Sequence, residues 1–161
     1  MDQLADLKLK WHFIGGIQSN KTRAIAERFD WVQSVDRFSV ARRLSEQRPF
    51  HAPPLNVCIQ VALVPEPTKG GVAPDELAEL ARAIAGLPRL VLRGLMCVPP
   101  PQPNAAAERA VFAKLRAALD DLNAGGLKLD TLSMGMSGDF ESAIAEGATL
   151  VRIGTALFGA R

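Results

Sequence analysis

The sequence predicts an α/β chain built from parallel βα units. Six short apolar or β-branched segments are bounded by turn residues, helical patterns separate them, and the loops after the last two strands are rich in Gly, Ser and Thr. Parallel strands need a crossover, and a helix of ten or so residues supplies it.

The strand segments are Trp11–Ile14, Trp31–Val35, Val57–Leu63, Leu90–Met96, Thr131–Met134 and Leu150–Ile153. After the first comes a helix over Asn20–Phe29, with Ser19 in position to cap it. The second strand leads to a helix over Ser39–Gln47 with Val40, Ala41 and Leu44 apolar. Asp75–Leu87 follows Pro74 and carries Leu77, Leu80, Ala81 and Ile84 on one face. Ala105–Leu122 and Phe140–Glu146 complete the helices. The proline-rich run between Val98 and Asn104 cannot be helix interior and reads as an exposed loop after a strand. The alternation continues unchanged beyond it, so residues 1–161 are expected to form a single domain. No internal repeat or low-complexity segment interrupts them.

Six βα units suit an open doubly wound sheet, whereas a (β/α)8 barrel needs eight strands and about 250 residues. The first strand lacks the G-x-G-x-x-G turn of dinucleotide-binding sheets. The ligand-type loops therefore carry the decision.

Composition excludes several function classes. Lys and Arg number 19 against 17 Asp and Glu, a net charge of +2, far from the excess needed to neutralise a nucleic-acid backbone. At 48% apolar and 22% charged the chain is ordinary globular sequence rather than a disordered one. Cys58 and Cys97 sit in apolar runs remote in sequence from His12 and His51, which argues against a disulfide scaffold or a zinc site and for buried strand residues. The first residues show neither a secretory layout nor a membrane-length apolar run, so a soluble, cytoplasmic setting with no membrane partner is expected.

Two stretches carry candidate chemistry. Leu132-Ser133-Met134-Gly135-Met136-Ser137-Gly138-Asp139 runs from a strand into a helix, and Val151-Arg152-Ile153-Gly154-Thr155 is a strand ending on Gly-Thr. Small residues, hydroxyls and free amides at strand ends can hold an anion. Two such loops after the last two strands match the phosphate site of barrels, which is built after strands seven and eight. Each taken alone is an ordinary turn. Arg152, flanked by Val151 and Ile153, needs a specific partner.

With these motifs in place, the chain resembles the pyridoxal phosphate homeostasis proteins, single-domain relatives of the alanine racemase N-terminal barrel domain. The matching residues are Trp11-His12-Phe13-Ile14-Gly15, Gln18-Ser19-Asn20-Lys21, Ser34-Val35-Asp36-Arg37, Gly94-Leu95-Met96, Ser133-Met134-Gly135-Met136-Ser137, Val151-Arg152-Ile153-Gly154-Thr155-Ala156 and Phe158-Gly159-Ala160-Arg161. The resemblance implies a TIM-type (β/α)8 barrel, incomplete here, with strands three to eight present. It implies a cofactor, pyridoxal 5'-phosphate, whose phosphate is held by Ser133, Gly154 and Thr155 and whose pyridine nitrogen faces Arg152. An arginine does not readily give up its proton, so that nitrogen stays unprotonated and is a weak electron sink. Cofactor binding and homeostasis, rather than enzymatic turnover, is the implied role.

In that family the Schiff-base lysine and an asparagine motif precede the Trp-His-Phe-Ile-Gly motif, which begins here at Trp11. Cofactor binding by this chain alone is therefore expected to be weakened or lost. Ala62 stands where the family usually has asparagine. Lys69 is a lysine on a loop near the barrel mouth. Lys21 and Arg23 read as a charged helix face or an anion site, and His12 as a packed strand histidine or one pointing into the barrel. The alternatives are a phosphate-binding barrel enzyme acting on a phosphorylated small molecule and a non-binding remnant. Missing strands would leave two unpaired edges, and such edges invite self-association.

Overall fold

The computed structural model describes residues 7–64 and 70–159. Within them six parallel strands form one sheet, ordered as in the sequence: β1 His12–Phe13, β2 Trp31–Val35, β3 Leu55–Gln60, β4 Leu90–Met96, β5 Thr131–Met136 and β6 Leu150–Arg152. The helices between and after them are α1 Thr22–Arg28, α2 Phe38–Gln47, α3 Leu77–Ala85, α4 Ala105–Ala124, α5 Phe140–Ala145 and α6 Thr155–Phe158.

The sheet is curled into part of a barrel. Flat neighbouring strands lie about 4.8 Å apart, so β2 and β5 would be about 14 Å apart in a flat sheet. Yet the Ser133 hydroxyl on β5 reaches the Gln33 side chain on β2 at 2.5 Å. The concave face must therefore close over these two residues. The apolar core takes in Leu44 of α2, Ile84 of α3, and Phe112 and Leu115 of α4, with Val32, Val57, Ile59, Leu95 and Leu132 of the sheet. Burial along β2 and β3 is nearly continuous rather than alternating, as befits parallel strands covered on both sides.

Local chemistry fixes the helix ends. Asn104 caps α4, its side-chain oxygen accepting from the Ala107 amide at 2.9 Å. Asn123 then ties the turn into β5, donating to the Leu129 carbonyl and accepting from the Leu129 amide. Arg48, after α2, is buried and donates to the carbonyls of Ala26, Phe29 and Pro53 at 2.6–2.8 Å, finishing α1 from outside it. β4 and β5 meet backbone to backbone at Gly94, where a Cβ would fall 1.8 Å from the Thr131 carbonyl oxygen.

Several expectations change. Ser19 does not cap α1 with its side chain; Lys21 holds the cap position, and the Thr22 hydroxyl donates to the Ser19 carbonyl instead. β3 starts at Leu55 and stops at Gln60, because Val61 and Val72 bridge and the Ala62 amide donates to the Val72 carbonyl. β5 continues past Met134 to Met136. Helix α6 follows a strand at which the sequence reading stopped.

Cys58 and Cys97 are buried free thiols, and burial pushes both up to about 12. No helix among the described residues is long and apolar enough to cross a membrane. The outer sides of β1 and β6 have no strand neighbour among the described residues. Leu9 and Ile14 are exposed beside β1, as are Val151, Leu157 and Phe158 on and after β6.

Candidate functional site

The C-terminal ends of β5 and β6 bring the expected residues together in two layers. Deeper in the half-barrel, Ser133 is fully buried in the middle of β5. Its hydroxyl donates to Gln33 Oε1 and accepts from Arg152 Nη1 at 2.8 Å. The second terminal nitrogen of Arg152 donates to the Cys97 carbonyl at 2.8 Å. This supplies the partners that an arginine between two apolar strand residues demands. Burial lowers the Arg152 pKa from its ordinary value, with Asp139 among the groups opposing that, but arginine starts so high that it stays charged.

The upper layer is the loop between β5 and α5. Gly135 has φ +95°, and a Cβ there would lie 2.6 Å from that of Ala143, so glycine is required for α5 to fold back onto the strand end. The Met136 amide donates to the Asp139 carboxylate at 2.6 Å, and the Asp139 amide returns to the Met136 carbonyl. This tight turn presents Ser137, whose hydroxyl oxygen accepts from the amides of Gly154 and Ala156 at 3.2 and 3.3 Å. Gly154 precedes α6 with open space where its side chain would be, and Gly154 and Thr155 are both exposed. The Ser137 hydroxyl thus lies against the Gly154 and Ala156 amides beside the Arg152 strand, gathering at one point donors of the kind that hold a phosphate dianion.

Ser137 is the residue that sequence reasoning did not single out. Ending β5 at Met134 put Ser133 near the mouth, whereas the strand runs to Met136 and carries Ser133 into the interior. A signal was available: Ser137 is the first residue after the strand, where ligand loops begin.

On the opposite wall, His12 of β1 stacks on Trp31 with ring centroids 5.1 Å apart, and its Nδ1 lies 2.7 Å from Gln33 Nε2. Burial pushes its pKa below the ordinary histidine value, against the Asp30 carboxylate, which raises it. Lys21 and Arg23 are exposed at the start of α1, away from this donor set in the chain, and Ala62 is engaged through its amide with Val72. Lys69 lies outside the described residues.

The comparisons bear on the family and the fold. The family described as alanine racemase, N-terminal domain, matches residues 3–161. The pyridoxal phosphate homeostasis protein of Pseudomonas aeruginosa is 64% identical over 159 residues, covering 99% of this chain and 68% of its own length. That of Escherichia coli K12 is 52% identical over 153 residues, with 65% of its length covered. The chain thus spans about two thirds of the curated relatives it matches. Among solved structures, PipY of Synechococcus elongatus with PLP bound superimposes with a TM-score of 0.90 at 40% identity, over 98% of this chain and 74% of that one. Alanine racemase of Corynebacterium glutamicum, at 19% identity and a TM-score of 0.71, shares the fold. The described strands are thus six of a parallel β/α barrel, and the chain belongs to the alanine racemase N-terminal-domain family, alongside the pyridoxal phosphate homeostasis proteins.

Proposed function

We propose that this chain binds pyridoxal 5'-phosphate in a cofactor-homeostasis role, without a turnover reaction of its own. The observation that carries the reading is the convergence of the Ser137 hydroxyl with the Gly154 and Ala156 amides, which flank Thr155, next to the half-buried cation Arg152. The donor set fits the cofactor: small residues leave open space at Gly154, and a protonated guanidinium stands two residues before it. When bound, the group would supply an aldehyde and a pyridine ring. Ser137, Gly154 and Thr155 would hold its phosphate, and Arg152 would donate to its ring nitrogen.

This assignment moves the phosphate from Ser133 to Ser137 and gives Ser133 the task of orienting Arg152. An arginine donor leaves the ring nitrogen unprotonated, which favours holding the cofactor over carbanion chemistry. The relatives' names and the ligand in PipY support the same reading. A cytoplasmic setting belongs with it, supported by two buried thiols left unpaired.

Calorimetric titration with pyridoxal phosphate and with inorganic phosphate tests the site. Ser137→Ala combined with Thr155→Val should weaken both ligands by about a hundredfold or more, each charge-assisted bond contributing about 1.5–3 kcal/mol. Unchanged affinity in the double variant would sink the phosphate assignment. Inorganic phosphate binding as tightly as the full cofactor would remove the role given to Arg152.

We also infer that the chain self-associates through the two sheet edges that have no strand neighbour among the described residues. The motivation is the exposed apolar set beside β1 and β6. Sedimentation velocity of the 161-residue chain should show species larger than the monomer, rising with concentration. A compact monomer across a hundredfold range of concentration would contradict the inference.

A further inference from the structure

Four side chains from four strands form one line across the concave face: His12 on β1, Gln33 on β2, Ser133 on β5 and Arg152 on β6. We propose that Gln33 is a positioning residue for Arg152, holding the guanidinium through the Ser133 hydroxyl, and that its amide orientation sets which nitrogen of His12 carries the proton. The proposal rests on the reading that Arg152 faces the cofactor ring.

The donor and acceptor inventory favours one arrangement. Arginine can only donate, so at 2.8 Å the Ser133 oxygen accepts from Arg152. A hydroxyl has one proton, and that proton then needs an acceptor elsewhere. Gln33 Oε1 provides it. The amide nitrogen of Gln33 is thereby turned toward His12, at 2.7 Å from Nδ1, so Nδ1 must offer a lone pair and the imidazole proton must sit on Nε2. Reversing the amide would take the Oε1 acceptor away from the Ser133 proton and would require the imidazole proton to sit on Nδ1. Gln33 and Ser133 are 3% and 0% exposed, so bulk water cannot replace the acceptor that Ser133 would lose.

The strand register builds this arrangement. His12 pairs with Trp31, and Gln33 is two residues further along β2, on the same face. The imidazole is therefore held between the Trp31 ring and the Gln33 amide. Burial favours its neutral form, which the line of hydrogen bonds requires. The charge acting against this is Asp30, whose carboxylate accepts from the Trp11 amide and pairs with Lys10. With every donor pointing from the fixed cation toward the neutral imidazole, each bond polarises the next.

Nitrogen-15 labelling of histidine tests this directly, because His12 and His51 are the only two in the chain and the exposed His51 serves as reference. At neutral pH the wild-type His12 should carry its proton on Nε2, and the Arg152 guanidinium should rotate slowly enough to give resolved Nη protons. Gln33→Met should speed that rotation at least severalfold and weaken pyridoxal phosphate binding severalfold while leaving inorganic phosphate binding unchanged. Gln33→Glu keeps an acceptor for Ser133 and offers His12 a carboxylate, so it should restore slow Arg152 rotation while moving a proton onto Nδ1. A wild-type Nδ1–H tautomer, or Arg152 rotation unmoved by Gln33→Met, would overturn the proposal. Should Gln33→Met fail to fold, the wild-type tautomer and the Gln33→Glu spectrum decide it. Absence of pyridoxal phosphate binding by the wild-type chain would strike the functional reading alone, since the His12 and Arg152 signals are read without ligand.

Discussion

Replacing Gly94 by alanine is expected to abolish cooperative folding. The added methyl would sit 1.8 Å from the Thr131 carbonyl oxygen, 2.7 Å from its carbon and 3.0 Å from its Cα, all of them backbone atoms. No rotamer change can relieve such a contact, so β4 and β5 must part. Parting them breaks the pairing of Gly94–Met96 with Thr131–Ser133, the segment that carries Ser133 into the half-barrel. Overpacking costs about 1–3 kcal/mol where side chains can shift, and a main-chain clash belongs beyond that, at more than about 4 kcal/mol. Gly16→Ala is the control: nothing lies within 4 Å of its Cβ position, and its change should stay within about 0.5 kcal/mol. Urea denaturation followed by circular dichroism measures both. A Gly94→Ala chain melting within about 1 kcal/mol of wild type would refute the argument.

Arg48→Met should be the next most damaging change, costing about 3–5 kcal/mol. Methionine roughly keeps the apolar bulk but leaves the Ala26, Phe29 and Pro53 carbonyls without the guanidinium that now serves all three. Two of these carbonyls belong to the last turn of α1 and the residue after it, so hydrogen exchange should accelerate first over α1 and its junction with β2. Lysine is not an adequate substitute, since a point-like ammonium cannot reproduce the spread of a planar fork. Stability of Arg48→Lys equal to wild type would show that the charge alone matters.

Strong local patterns made most of the fold legible. β2 and β4 have the ends that their apolar runs predict, and α4 starts at Ala105, where the helical pattern after the proline-rich run begins. The alternation and the paired Gly-rich loops pointed to a barrel. What escaped depended on partners distant in sequence. β3 ends earlier than its apolar run, since nothing in Gln60–Leu63 shows that Val72 will return to bridge Val61. Helix α6 has four residues, too few for a periodic signal. Gly154 and Thr155 were visible as a loop, and Arg152 as a residue in need of a partner. Ser133 and Ser137 differ chiefly in depth, however, and depth depends on where β5 ends. Gln33 gave no sign, since its significance arises only when the sheet curves round to Ser133.

The neighbour-to-neighbour strand order has a consequence for how the chain comes to exist. Each strand lies beside the one made just before it, so pairing can proceed in the direction of synthesis, a unit at a time, without waiting for distant sequence. The hydrogen bond between Gln33 and Ser133 spans 100 positions and cannot form until β5 has been made. Translation would therefore yield a growing row of βα units before the line of polar groups that draws its ends together. Curvature is in this sense a late event, and a ribosome stalled before β5 would hold an ordered sheet whose binding residues had not yet met.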